Sequence, residues 1–343
     1  MVKTYFLGAN SKQGFYSLYD QFPPDGAFLH IIKGGPGTGK SGFMRRIGKA
    51  AEERGMDVEY VLCSGDPDSL DGVYIPSINA AWVDGTAPHV GEPRCFAADA
   101  DYVNIGQFLN LPFSGDEKSY VNRISKSYKE LYAKAYAYIR AAASIREASV
   151  PPAMTEKEKI SLEKKIAAVF DSVHTVSTQG TASTQTRFLR AASCLGDFML
   201  CGEISKLCKL IYCLDGPAAY VSAALEFAAS EAFHRGLDIV RCPSPVDPER
   251  LEAVLIPGLS LAFTSFGDYE ESRHIKTGRT LPKEERAELR STAKLEEKLM
   301  ELAYIKLRQA KELHDEMESV YKAHMDFAAL SEFTDRTIEK LFN

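Results

Sequence analysis

Apolar positions change period several times along the chain. Phe28-Leu29-His30-Ile31-Ile32 is a short apolar run of the buried-strand kind. From Ser41 to Arg54, Phe43, Met44, Ile47, Ala50 and Ala51 recur at helical spacing, and Gly55 stands where a left-handed helix stop is expected. Val58 to Leu62 and Ile78 to Asp84 read as further strands. Asp116 to Ala148 carries Tyr120, Ile124, Tyr128, Leu131, Tyr132, Ala135, Tyr138 and Ile139 in a long amphipathic helical pattern. Pro151-Pro152 breaks that pattern and Thr155 to Phe170 resumes it. Leu281 to Phe342 repeats the theme with Leu295, Leu299, Leu302, Ile305, Leu313, Met317 and Val320. Strands and a short helix followed by a long helical stretch predict an α/β chain with helical additions.

The pattern is also duplicated. Aligning Pro36 with Pro217 sets an offset of 181 that holds without a gap through Gly35/Gly216, Ser41/Ser222, Arg54/Arg235, Gly55/Gly236, Asp57/Asp238, Asp66/Asp247, Pro67/Pro248, Leu70/Leu251, Val73/Val254, Ile75/Ile256 and Pro76/Pro257. Upstream, Phe6-Leu7-Gly8-Ala9-Asn10-Ser11 pairs with Phe188-Leu189-Arg190-Ala191-Ala192-Ser193 after a one-residue shift. The expected organisation is residues 1–180 with a helical insert at about 116–172, then residues 181–343 with a helical C-terminal segment at about 281–342.

Between the first strand and helix stands Gly34-Gly35-Pro36-Gly37-Thr38-Gly39-Lys40-Ser41, followed by Gly42, a full match to the Walker A pattern in the strand–loop–helix context it requires. Glycines let backbone N–H groups turn inward around a phosphate, and the helix start adds the positive end of its dipole. Lys40 would reach β- and γ-phosphate oxygens, Ser41 would ligate Mg²⁺, and Asp84 at a strand end is placed by type to hold the metal shell. The second copy reads Asp215-Gly216-Pro217-Ala218-Ala219-Tyr220-Val221-Ser222, with Val221 at the lysine position, and Ser265 takes the register of Asp84. One nucleotide site is therefore expected, in residues 1–180.

Other polar residues of the first copy are weaker candidates. Asp66 and Asp68 follow the second strand, where a parallel strand's C-terminal end opens on a ligand crevice, yet Asp66 recurs as Asp247, a sign of turn chemistry. Thr86 and His89 have no counterpart in the second copy, which favours a functional role.

These motifs resemble tandem P-loop ATPase-like proteins of bacteria with an AAA-type Walker A loop. In that family each half carries Gly-x-Pro-Gly-Thr-Gly-Lys-Ser, an Asp-Pro-x-Ser-Leu-Asp-x-Val-x-Ile-Pro segment and an Asp-x-Thr-Ala-Pro-His segment. The first half matches all three, at Gly34–Ser41, Asp66–Pro76 and Asp84–His89, while the second keeps Asp247-Pro248 and Ile256-Pro257. The resemblance implies ATP and a P-loop NTPase-type, mainly parallel sheet flanked by helices, duplicated in tandem. Many P-loop ATPases place a glutamate after the strand-end aspartate to activate water; here Gly85 follows, so Asp66, Asp68 or His89 would substitute. The expected activity is a Mg-dependent ATPase with a regulatory or scaffolding second half. The alternatives are a small-molecule phosphotransferase whose helical lid bears Arg123 or Arg140, and a nucleotide-responsive binding module.

Composition narrows the partners. The 343 residues are 45% hydrophobic and 26% charged, with net charge −6 and no long block of one sign, so extended contact with nucleic acid or an anionic membrane is not expected. A small-molecule or protein partner fits better. Seven cysteines lack any Cys-x-x-Cys pair and read as reduced thiols, no apolar run approaches the ~20 residues of a membrane span, and a cytoplasmic location is expected.

Overall fold

A computed structural model of the chain describes residues 1–86, 95–149, 151–173, 182–279 and 281–342. The first half opens with β1 (Val2–Phe6) and a hairpin of β2 (Gly8–Ser11) and β3 (Gly14–Ser17). β4 (Phe28–Lys33) leads into α1 (Lys40–Glu52), then β5 (Val58–Leu62), β6 (Leu70–Ile75), β7 (Ala80–Asp84), β8 (Ala100–Asn104), α2 (Gly115–Ala148) and α3 (Glu156–Ser172). The second half follows the same course. β9 (Thr184–Thr186), the hairpin β10 (Arg190–Ser193) and β11 (Gly196–Met199), α4 (Cys201–Leu207) and β12 (Leu210–Asp215) precede α5 (Ala218–His234). β13 (Ile239–Pro243), β14 (Leu251–Ile256), β15 (Leu261–Thr264), β16 (Arg273–Lys276), α6 (Lys283–Ala323) and α7 (Phe327–Phe342) complete it.

Each half builds a six-stranded sheet, in the order β1-β5-β6-β7-β4-β8 and β9-β13-β14-β15-β12-β16. The orders match position for position, down to left-handed backbone at Asn79 (φ 49°) and Ser260 (φ 52°), residues related by the 181 offset. The sheets are mixed: β6 runs antiparallel to both β5 and β7, and β14 to both β13 and β15. Residues 63–69 and 76–79, which join these strands, are shorter than the dozen or so residues a parallel crossover requires. β4 remains parallel to β7 and β8, and β1 to β5.

Local chemistry sets the helix limits. Gly55 and Gly236, each just beyond the helix of its half, take φ of 72° and 76°. Ser114 with Glu117 and Thr155 with Glu158 form reciprocal capping boxes at the starts of α2 and α3. A hydrogen bond from His324 helps hold the Glu117 carboxyl down, at about 2.

The halves meet about an approximate two-fold relation. Phe6 and Phe188, equivalent in the repeat and both fully buried, exchange backbone hydrogen bonds of 2.9 and 3.0 Å. Around them Tyr5, Leu7 and Ala9 share one core with Leu189, Ala191 and Cys213. α2 and α6 pack along their length in opposite directions: Glu117 meets His324, Tyr128 meets His314, Arg146 meets Glu296 and Ser149 meets Thr292.

The terminal helices cross over. α3, from the first half, buries Leu162, Ile166, Val169 and Phe170 in the second half's core against Ala224, Ala228 and Phe263. α7, from the second half, packs on α1: Leu330 joins the first half's core, Phe333 stacks on Phe43 at 5.9 Å, and Arg46 bonds Ser331 and Asp335. The two helical appendages expected from periodicity are present, but each covers the other half. Truncating either contact should therefore damage a core distant in sequence. Leu330→Ala and Ile166→Ala are each expected to cost about 2–5 kcal/mol in urea unfolding, and a cost below about 1 kcal/mol in both would show that the exchanged helices do not complete these cores.

Candidate functional site

The glycine loop occupies the turn between β4 and α1. Gly39 takes φ 94° as the residue preceding α1, and Gly37 takes φ 65°, conformations that side chains oppose. The Thr38 hydroxyl donates to the Gly35 carbonyl at 2.8 Å and holds the loop closed. Lys40 is 9% exposed; its Nζ donates to the Gly34 and Gly35 carbonyls at 3.2 and 2.8 Å and lies 3.6 Å from Asp84 Oδ2. Asp84 reaches this point because β7 pairs in parallel with β4, Ile32 opposite Asp84. Its other oxygen accepts from the Thr86 backbone N–H and hydroxyl at 2.9 and 2.6 Å. The Ser41 hydroxyl accepts from Leu70 N–H at 2.9 Å, tying α1 to the start of β6. Gly42, within α1, is exposed with open space around it.

Gly85, which follows Asp84, is closely packed. A Cβ there would lie 3.0 Å from the Ile32 carbonyl oxygen and collide with the Ile31 side chain, so a larger residue requires the end of β4 to move. His89, with Ala87 and Pro88, lies outside the described residues.

The segment between β5 and β6 divides the acidic candidates. Asp66 accepts from the Ser69 hydroxyl at 3.0 Å and faces Lys311 Nζ at 3.6 Å. Asp68 is exposed, and its carbonyl accepts from Arg45 at 2.7 Å. Asp71 is buried instead, accepting from the Tyr19 hydroxyl at 3.2 Å beside Cys63. Tyr128 and Tyr132 of α2 reach the same cluster. Burial, with nearby acids, pushes the Tyr19 phenol and Cys63 thiol well above their usual ranges, and burial does the same to the Tyr132 phenol. Arg123 lies over the Tyr120 ring at 5.2 Å and Arg140 is exposed, so among the described residues no contact brings either to the loop.

The second half closes the site. Tyr321 of α6 packs against Gly35, and a Cβ on Gly37 would lie 2.9 Å from the Glu318 carbonyl oxygen. Leu330 of α7 stands against Gly39. One turn before Glu318, His314 lies between the Glu318 carboxylate, 3.5 Å from Nδ1, and the Tyr128 ring, and it is close enough to Lys40 to feel its charge. The turn of the β10–β11 hairpin adds a backbone bond from Cys194 to the Gly65 carbonyl, 3.0 Å, reproduced by Lys12 to Val246 at 2.9 Å in the other half. Lys311, His314, Glu318 and Tyr321 carry no local motif and lie far along the chain from the loop at residues 34–42, so sequence inspection alone passes over them.

The equivalent junction in the second half has lost its loop. Only Gly216 and Pro217 separate β12 from α5, because Ala218 and Ala219 are helical where repeat alignment with α1 predicts a start at Val221. A cavity of about 330 Å³ lies there instead, lined in part by Pro217, Ala218, Arg146, Arg250 and Glu252. Arg146 stands toward Asp247 and Glu252 much as Lys311 stands toward Asp66, so both junctions face a cation from the opposite half's long helix.

In chemical terms the first junction combines a glycine loop at a helix start, a buried lysine and a strand-end carboxylate, an arrangement suited to an anion. Among the described residues no three His, Cys, Asp or Glu side chains converge as a metal site, so a cation would require ligand oxygens besides Ser41 and Asp84. Among the same residues no helix is long and apolar enough to cross a membrane. In comparisons with known proteins, no family model, curated protein or solved structure matches the chain.

The loop's backbone makes a stability contrast. Gly37→Ala is expected to cost about 1–3 kcal/mol through left-handed strain and contact with α6, whereas Gly42→Ala should leave stability unchanged or raise it by up to about 1 kcal/mol. Denaturant unfolding measures both, and equal effects would contradict the packed loop.

Proposed function

We propose that the protein is a Mg-dependent ATPase with one active site, built on residues 34–42 and Asp84. The observation that carries this reading is Lys40: it is buried, held in a glycine loop at the start of a helix, and lies 3.6 Å from a strand-end aspartate. Its present acceptors are the loop's own carbonyls, which leaves it placed to exchange them for phosphate oxygens. Backbone N–H groups of the loop would cradle the phosphates, with Lys40 as a point charge on the terminal groups. Ser41 and Asp84 would hold Mg²⁺ together with phosphate oxygens and water, consistent with that ion's preference for few protein ligands. Bound Mg·ATP supplies the scissile phosphoanhydride; the chain positions it and balances its charge.

The second half is proposed as a scaffold for that site. Its junction has Val221 for the lysine and Ser265 for the aspartate, and helical backbone where the loop would be.

Calorimetric titration with a non-hydrolysable ATP analogue and Mg²⁺ should give a stoichiometry near one. Lys40→Ala should weaken binding about a hundredfold or more if roughly 3 kcal/mol of charged contact is lost, and should abolish phosphate release, while Val221→Ala leaves both unchanged. Two nucleotides per chain, or phosphate release equal in wild type and Lys40→Ala, would remove the proposal. ATP consumption seen only with an added acceptor would instead identify a phosphotransferase.

A further inference from the structure

We infer, resting on the single-site ATPase reading above, that His314 of α6 accepts the proton of the water that attacks the terminal phosphate. The catalytic site would then be shared between the halves: phosphate and metal groups from the first, the base from the second.

Elimination and geometry converge on this residue. The position that follows the strand-end aspartate is closed to a glutamate by the packing of Gly85 against Ile31 and Ile32. Asp66 is engaged by Ser69 and Lys311, Asp68 is exposed, and Asp71 accepts from Tyr19. Tyr19, Tyr132 and Cys63 are all pushed upward and keep their protons near neutrality, so they can donate but not accept. Among the described residues His314 offers a neutral base, on the helix that touches Gly35 and Gly37 and within electrostatic reach of Lys40.

Its surroundings suit the role. Glu318 Oε1, 3.5 Å from Nδ1, favours the tautomer with the proton on Nδ1 and leaves Nε2 as an acceptor. The groups that face the ring are Lys311, Asp315 and Glu318 on α6, Tyr128 on α2 and Lys40 on α1. Burial is the largest influence and, with the two lysines, lowers the imidazole below its ordinary 6.5 against the opposing carboxylates, so the neutral base predominates at pH 7. In the step itself the water oxygen bonds to the γ-phosphorus as the bond to the β–γ bridging oxygen breaks. ADP leaves with that electron pair, the water proton passes to His314 Nε2, and the imidazolium later returns it to solvent.

The test pairs analogue binding with single-turnover phosphate release from pH 5 to 9, on the full chain. His314→Gln should keep analogue affinity and lose ~10²–10⁴-fold in rate, with the acid limb gone from what remains. Glu318→Gln keeps the imidazole but removes a carboxylate that raises its pKa, so the acid limb should move to lower pH. His274→Gln, at an exposed histidine of the second half, should match wild type. A His314→Gln rate and pH profile equal to wild type would overturn the inference and leave the ATPase reading intact, as would equal losses of affinity and rate. If His314→Gln does not fold, an unmoved limb in Glu318→Gln overturns it. Failure of the wild type itself to bind the analogue or release phosphate would instead remove the reading on which it rests.

Discussion

The exposed flank of α1, and of its counterpart α5, has to be covered, and the helix that covers it comes from the other half. Phe43, Met44 and Ile47 of α1 share a core with Leu330 and Phe333 of α7, as Ala224 and Ala228 of α5 share one with Ile166 and Phe170 of α3. Burial of these side chains is the interaction on which the remaining architecture rests, because it fixes where the long helices must run. α6 passes over the glycine loop, contacting Gly35 and Gly37, before α7 packs on α1.

The same constraint gives the two halves different freedoms. A strand–helix junction can dispense with the loop without losing its sheet: in the second half nearly one extra turn of α5 fills the place, and the apolar face with Leu225, Ala228 and Ala232 is kept. Scaffold residues have no such latitude. Phe188, Ile166 and Leu330 each sit in a core built partly by the other half, where a void or an unpaired group costs several kcal/mol.

Much of this was readable in advance, for identifiable reasons. The repeat register, the strand at Val58–Leu62 and the long helices depend on local periodicity and capping, which the chain displays directly. Placement of Asp84 beside Lys40 followed from its position at a strand end. The antiparallel course of β6 carries no residue signature of its own: the Asp-Pro-x-Ser-Leu segment reads as a loop over a crevice, and only its shortness, set against the length a crossover needs, excludes a parallel return. The exchange of α3 and α7 was beyond reach for another reason. An amphipathic helix reports that it has an apolar face and says nothing of which surface receives it, so the place where α6 packs, and the residues it brings to the glycine loop, have no signature in the chain.

The reciprocal helices also alter what the covalent link between the halves is for. Two domains joined by a connector ordinarily depend on it to stay at high local concentration. Here each half is gripped by the other's terminal helix, the paired α2 and α6 run side by side, and Phe6 and Phe188 share backbone bonds. The arrangement is a clasp. Once it is closed, separating the halves means unfolding both, so the peptide continuity between them matters chiefly for bringing the right partner to the clasp during folding.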